Sequence, residues 1–247
     1  MKDKLFGGET GVIPFLTLGY PNLQMSEELV YVLDQAGVDL VMLGIPFSDP
    51  AGEGPALRLA GETALRNRLT TDHIFDLLAR VRRRTDIPLA LRCYANIVFA
   101  YGTQRFVEKA ARLNVSALIL PDVPFEEQAE FKDVCAKCGI QLISIVAPAL
   151  EDRIERIVRQ AQGFIYLLGP VTEELVSTVG KFTALPIVAS YLGATTPTGV
   201  DGIVLESEIV ELVLEHGSRA PGVILDYVKD VIAATRSFPP EEAKRRA

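Results

Sequence analysis

The sequence predicts an α/β protein whose 247 residues, 1–247, form one (β/α)₈ barrel domain. Short apolar runs alternate with longer helical patterns along the chain, and no linker, repeat or low-complexity segment interrupts them. Strands separated by helices pair in parallel through right-handed crossovers. Eight such units in this length favour a closed barrel, and a doubly wound open sheet is the alternative.

Each predicted strand is a short apolar run, and each predicted helix follows the 3.6-residue apolar period. The strands are expected at residues 12–18, 40–45, 88–94, 117–120, 141–146, 164–168, 186–189 and 202–205. The helices are expected at residues 23–36, 55–66, 71–84, 104–113, 125–137, 150–161, 173–181, 208–214 and 223–235. Gly37 closes the first helix, and Thr71 or Asp72 is expected to cap the third.

The seventh βα unit is shortened. Only the stretch from Tyr191 to Asp201 separates strands seven and eight, and it contains two glycines, a proline and three threonines. A normal crossover with its helix takes at least about 10–12 residues. We therefore expect a loop or a single turn there.

Composition limits the classes of function. With 49% hydrophobic and 23% charged residues, the chain is typical of a globular protein, and its net charge of −7 argues against a nucleic-acid partner. No apolar run reaches the roughly 20 residues that span a bilayer, and residues 1–9 have no signal-peptide core, so a cytoplasmic location is expected. Cys135 and Cys138 fall late in a predicted helix, which is not where a redox motif is expected, and a metal site would need more ligands nearby. No metal or other cofactor is therefore expected.

The most informative segment is Met42-Leu-Gly-Ile-Pro-Phe-Ser-Asp-Pro-Ala-Gly-Glu-Gly-Pro55, where a strand runs into a Pro- and Gly-rich loop. Barrel chemistry is located at such strand ends. Asp49 and Glu53 lie in this loop, although capping carboxylates in an ordinary turn would give the same pattern.

This segment resembles the tryptophan synthase α-subunit family, whose pattern here is Glu-Leu-Gly-x-Pro-Phe-Ser-Asp-Pro-x-Ala-Asp-Gly-Pro. The segments at 14–21 (PFLTLGYP), 94–99 (YANIVF), 121–124 (PDVP) and 163–168 (GFIYLL) agree in order and spacing. The resemblance covers about residues 10–170 and then weakens.

The resemblance implies cleavage of indole-3-glycerol phosphate to indole and glyceraldehyde 3-phosphate, with the indole passed to a pyridoxal-phosphate β subunit. In the family, a Glu at the end of strand two transfers protons, and an Asp in the next loop holds the indole nitrogen. Met42 occupies that Glu position here, and a thioether has no proton to give. Since general acid–base groups contribute roughly 10²–10⁴-fold, the change should be severe. Glu53 occupies the Asp position, and Asp49 or Glu53 could replace the missing acid only if the loop folded inward.

The phosphate end also departs from the family pattern. Residues 168–173 lack most of the family's mobile loop, and Ser190-Tyr-Leu-Gly193 replaces Gly-Phe-Gly-Ile. Glu206-Ser207-Glu208 replaces Gly-Ser-Ala at a helix start. A carboxylate about 5 Å from a phosphate repels it by roughly 3 kcal/mol per unit-charge pair. This repulsion exceeds the attraction between a helix dipole and an anion, so we expect no phosphate to bind.

The remaining candidate residues follow from the resemblance. Phe15, Arg92 and Ser207 are candidates for substrate binding, and Glu53 and Tyr166 are candidates for catalysis. Asp49, Asn96 and Pro124 are candidates for a β-subunit interface. Arg92 stands where the family has an apolar residue; we expect it to point outward, with an inward ion pair to Glu53 or Glu206 as the alternative.

Three hypotheses follow. The first is a family homologue without normal lyase activity that serves as a noncatalytic partner of a β-type subunit. The second is an enzyme that uses Glu53, Asp122 and Tyr166 on an unphosphorylated small molecule. The third is a working lyase whose residues are misaligned above, or an engineered variant with a trimmed barrel.

Overall fold

The computed structural model describes residues 9–50, 53–193, 196 and 198–236. Residues 1–8, which include most of the segment predicted to lack a signal-peptide core, lie outside this part. Its strands are β1 (Gly11–Thr17), β2 (Val41–Gly44), β3 (Leu89–Arg92), β4 (Val115–Ile119), β5 (Gln141–Leu142), β6 (Ser144–Val146), β7 (Ile165–Leu167), β8 (Ile187–Ser190) and β9 (Gly202–Leu205).

Helices surround these strands. They are α1 (Leu23–Ala36), α2 (Pro55–Arg66), α3 (Thr71–Val81), α4 (Ala95–Tyr101), α5 (Thr103–Arg112), α6 (Ala129–Cys138), α7 (Glu151–Val158), α8 (Glu173–Gly180), α9 (Ser207–His216) and α10 (Ala220–Arg236), with 3-10 turns at Phe125–Glu127 and Gly217–Arg219. Within the described ranges, none of the helices is long and apolar enough to cross a membrane.

The sheet closes on itself through one segment that is counted as two strands. All pairs are parallel, in the order β5-β4-β3-β2-β1-β9-β8-β7-β6. A single residue, Ile143, separates β5 from β6, and its N–H donates to the carbonyl oxygen of Leu118 on β4 at 2.9 Å. The segment 141–146 therefore pairs with β4 on one side and β7 on the other. The predicted closed barrel is confirmed, and the doubly wound alternative is wrong.

Local signals explain most helix ends. The Asn22 side chain accepts a hydrogen bond from the Met25 N–H at the start of α1, and Gly37 ends that helix with a φ of 80°. The cap of α3 is Thr70, whose side chain accepts from the His73 N–H. The prediction of Thr71 or Asp72 as that cap was wrong by one or two residues. Helix α4 was not predicted, because its short aromatic and β-branched sequence has no clear helical period.

The shortened seventh unit is confirmed in its described residues, 191–193, 196 and 198–201. Thr196 folds this stretch back: its Oγ1 accepts from the Leu192 N–H at 2.9 Å, and its own N–H donates to the Gly193 carbonyl at 3.1 Å. The described residues form turns where other units have a helix.

Two neighbouring strands make a tight contact inside the barrel. Phe15 of β1 pairs in register with Met42 of β2, and both side chains are buried. The Phe15 ring lies directly over Gly44, two residues after Met42, where any β-carbon would overlap the ring. The ring can occupy this part of the barrel because position 44 has no side chain.

Gly44→Ala should therefore destabilise the fold by about 1–3 kcal/mol, because the buried Phe15 ring would have to move. Gly61→Ala is the matched control, since a β-carbon at Gly61, inside α2, meets no atom within 4 Å. It should change stability little or raise it by up to about 1 kcal/mol, as a helical Gly→Ala change does. Urea unfolding of both variants measures the difference. Equal effects would contradict the assigned Phe15–Gly44 contact.

Candidate functional site at the barrel mouth

Arg92, the last residue of β3, points into the barrel. Its side chain is 9% exposed, and Nη1 donates to Glu206 Oε1 at 2.6 Å. Nη2 lies 3.7 Å from Glu53 Oε1. The expected outward orientation was wrong, because the inward position offers two carboxylates that offset the burial of the charge, whereas snorkelling offers only water.

Glu206 is the centre of the polar network. It directly follows β9, and besides Arg92 its carboxylate accepts from the Tyr166 hydroxyl of β7 at 2.8 Å and from the Ser190 hydroxyl of β8 at 3.4 Å. Donors from three strands thus converge on one carboxylate at the end of a fourth strand. The network crosses the mouth of the barrel from side to side.

The environment fixes the charge states of these groups. Burial alone would lower the pKa of Arg92, but nearby Tyr166, Glu206 and Glu53 outweigh it and raise that pKa. Burial, with the charge of Glu206, raises the pKa of Tyr166, so its hydroxyl stays protonated. Burial also raises the pKa of Glu53; Arg92 opposes this rise and Glu206 adds to it. Of the two candidate catalytic residues, Glu53 has its pKa shifted towards neutral pH, whereas Tyr166 has its pKa shifted further away from it.

Aromatic side chains form the walls around Arg92. The guanidinium carbon is 5.1 Å from the centroid of the Phe15 ring, within cation–π range. Phe47 stacks on Tyr94 with centroids 4.8 Å apart and an interplanar angle of 24°. The cavity that these residues share with Glu53 is about 20 Å³, room for about one water molecule. Among the described residues around this cavity, side chains fill the mouth, and the cavity itself is too small for an indole-sized ring.

Asp122 serves as a helix cap. Both of its carboxylate oxygens accept from the Ala95 N–H, the first residue of α4, at 3.0 Å. This contact fixes the loop after β4 to the helix after β3. The sequence could not indicate this role, because α4 itself was not predicted.

The start of α9 carries negative charge. Ser207 is its first residue, with Glu206 before it and Glu208 after it. Burial raises the pKa of Glu208, and the carboxylates of Glu211 and Glu206 raise it further. These charges oppose the attraction of a helix N-terminus for anions.

The three candidate interface residues lie in successive segments that follow strands at the carboxyl end of the barrel, and Asn96 is the second residue of α4. Asp49, Asn96 and Pro124 follow β2, β3 and β4 respectively, and all three are exposed. Near them, Phe99 is 46% exposed. An open depression of about 330 Å³ lies beside Asn96 and is lined by Phe47, Thr71, Asn96, Ile97, Ala100 and Tyr101. This end of the molecule thus combines exposed polar groups with accessible apolar surface.

Known proteins match the chain along most of its length. The family model described as tryptophan synthase alpha chain matches residues 1–227. The tryptophan synthase alpha chain of Lacticaseibacillus casei is 34% identical over 241 residues, which cover 90% of each chain. The solved structure of tryptophan synthase subunit alpha from Campylobacter jejuni is similar with a TM-score of 0.79 and 30% identity, covering 96% of this chain and 98% of that one.

A third match shares the fold at lower identity. A chain in the tryptophan synthase complex from Pyrococcus furiosus has a TM-score of 0.83 and 23% identity, and the match covers 92% of this chain and 99% of that chain. The matched family model and the curated relative establish that the chain belongs to the tryptophan synthase alpha chain family.

A double-mutant cycle measures the buried pair. Arg92→Met alone should cost up to about 3–5 kcal/mol of unfolding free energy, because Glu206, whose side chain is only 16% exposed, would be left charged without its cation. Adding Glu206→Gln should recover a large part of that loss, since neither charge then remains. Urea unfolding of the two single variants and the double variant gives the coupling energy. Additive losses would mean that the two side chains do not interact in solution.

Proposed function

We propose that this member of the tryptophan synthase alpha chain family has lost, or greatly reduced, the cleavage of indole-3-glycerol phosphate and acts as a noncatalytic partner of a β-type subunit. The observation that carries the proposal is the Arg92–Glu206 ion pair, 2.6 Å long, in the barrel mouth. With Glu53 held at Arg92, the cavity among the described residues at the mouth is about 20 Å³, too small for an indole ring unless Glu53 is displaced.

The proton-transfer groups support the same conclusion. By the family resemblance, Met42 takes the place of the Glu that moves protons, and a thioether cannot do so. The Tyr166 hydroxyl is held protonated by burial and by Glu206, so it is a poor base. Asp49 is exposed on its loop and Asp122 caps α4. Glu53 and Glu206 both face Arg92 at the mouth, and Glu206 is held there by the shorter ion pair.

The phosphate end supports the loss of substrate binding. Glu206 and Glu208 flank the start of α9, where the resemblance puts the phosphate group. At about 5 Å each carboxylate would repel each unit of phosphate charge by roughly 3 kcal/mol in a medium of effective dielectric near 20. The helix dipole offers only about 0.3–1 kcal/mol in return.

The partner role rests on the exposed carboxyl end of the barrel. Asp49, Asn96 and Pro124 are exposed there together with Phe99, and exposed apolar residues among polar ones are typical of protein interfaces. Similar solved structures include tryptophan synthase complexes from Pyrococcus furiosus, one of them an a2b2 complex. A β-type subunit is therefore the partner that we propose.

One observation favours a second candidate function, an enzyme acting on an unphosphorylated small molecule. Burial raises the pKa of Glu53 at the edge of the mouth cavity, and a raised pKa favours a carboxyl as a general acid–base group. In that case Glu53 would be the catalytic group, with Tyr166 as a fixed hydrogen-bond donor.

The direct test is indole release from indole-3-glycerol phosphate by the purified chain, with and without a β subunit from the same source. We expect release at least about 10²-fold below that of a working relative, because the general acid–base group is missing. We also expect β-subunit activity to rise when the chain is added. Turnover at ordinary family rates would refute the loss of activity and favour a working lyase.

The partner role has its own control. Asp49→Ala should weaken activation of the β subunit at least severalfold, because it removes a charge from the proposed interface. Asp230→Ala, which changes an equally exposed carboxylate on α10, should leave activation unchanged. Equal activation by both variants would refute the assigned interface.

A further inference from the structure

The two terminal nitrogens of the Arg92 guanidinium are not equally well bonded. Nη1 is held by Glu206 at 2.6 Å, but Nη2 is 3.7 Å from Glu53, beyond hydrogen-bonding distance. Arg92 and Glu53 both line the cavity of about 20 Å³ at the mouth. Since a guanidinium binds carboxylates through paired N–H donors, the Nη2 side is the part of Arg92 that a second anion can take.

Glu53 is a weakly held occupant of this position. It lies on the loop before α2, and burial costs its carboxylate more than Arg92 returns, because the pKa of Glu53 is raised in spite of that cation. Glu206 competes for the same positive charge and repels Glu53. Tyr94 is the other titratable side chain that lines this cavity. A carboxylate brought in by a ligand would replace Glu53 without changing the charge around Arg92.

The walls of the same cavity suit a flat apolar group. Phe15 lies below Arg92, and the stacked pair Phe47–Tyr94 lies on another side. Gly44 and Gly61 add no side chain, and a β-carbon at Gly61 would meet no atom within 4 Å. Displacement of Glu53 would enlarge the cavity between these rings, where an aromatic ligand can stack.

We propose that the barrel mouth binds small aromatic carboxylates, with the ligand carboxylate taking the place of Glu53 on Arg92 Nη2 and the ring contacting Phe15 and the Phe47–Tyr94 pair. This inference deepens the proposed function and rests on it in one respect, namely that the mouth no longer processes a phosphorylated indole.

Calorimetric titration of the purified chain tests the proposal, with indole-3-carboxylate as the probe and indole and benzylamine as neutral and cationic controls. The carboxylate should bind saturably and at least about tenfold more tightly than either control. Glu53→Gln should tighten its binding about five- to tenfold, because the competing charge is gone. Glu126→Gln is the matched control: it changes another arginine-paired glutamate, 3.1 Å from Arg153 on the surface, and should have no effect.

The pH dependence gives a second, independent readout. Because burial raises the pKa of Glu53, this carboxylate takes up a proton at a higher pH than an ordinary glutamate does, and its protonation releases Arg92. Affinity for indole-3-carboxylate should therefore rise in the wild-type chain as the pH falls, as long as the ligand itself stays ionised. In Glu53→Gln, which cannot titrate, most of this rise should disappear.

Three outcomes would overturn the proposal: no saturable binding of the carboxylate, tighter binding of benzylamine, or weaker carboxylate binding by Glu53→Gln. Arg92→Met should abolish binding, but the Glu53→Gln result decides the question even if that variant does not fold. Lyase turnover would overturn the proposed function and leave these binding results intact, so the two failures are distinguishable.

Discussion

The buried ion pair between Arg92 and Glu206 is the constraint on which the rest of the barrel mouth depends. Removing two charges from water costs several kcal/mol per ion, and the cost is recovered only when geometry and further hydrogen bonds are good. Here the distance is 2.6 Å, and the hydroxyls of Tyr166 and Ser190 donate two further hydrogen bonds to Glu206. The pair therefore links the end of β3 to the end of β9 across the barrel interior. Tyr166 and Ser190 add β7 and β8 to the same network.

The same network limits what the site can do. Arg92 occupies space between Phe15 and Glu53, and its charge is balanced by protein carboxylates before any ligand arrives. Met42 is fully buried beside Phe15 and contributes only apolar volume. The proposed loss of an acid–base group at Met42 and the filling of the mouth by Arg92 would both reduce lyase activity, and both therefore support the proposed partner role at the exposed rim.

Much of the fold could be predicted from sequence, because strand and helix periods and glycine ends are local signals. The barrel, the short seventh unit and the end of α1 at Gly37 are of this kind. The orientation of Arg92 was not predictable in this way: its partner Glu206 is 114 residues away, and only the closed sheet brings them together. The Asp122 cap depends likewise on α4, a helix of seven residues with no strong period.

We propose that the Arg92–Glu206 network closes the mouth to the family substrate, and a binding measurement tests this closure more directly than turnover does. Titration of the wild-type chain with indole-3-glycerol phosphate, followed by calorimetry, separates loss of binding from loss of chemistry. The account predicts no saturable binding up to millimolar substrate. Micromolar binding of the intact substrate would contradict it and would mean that the network opens to admit both the indole and the phosphate.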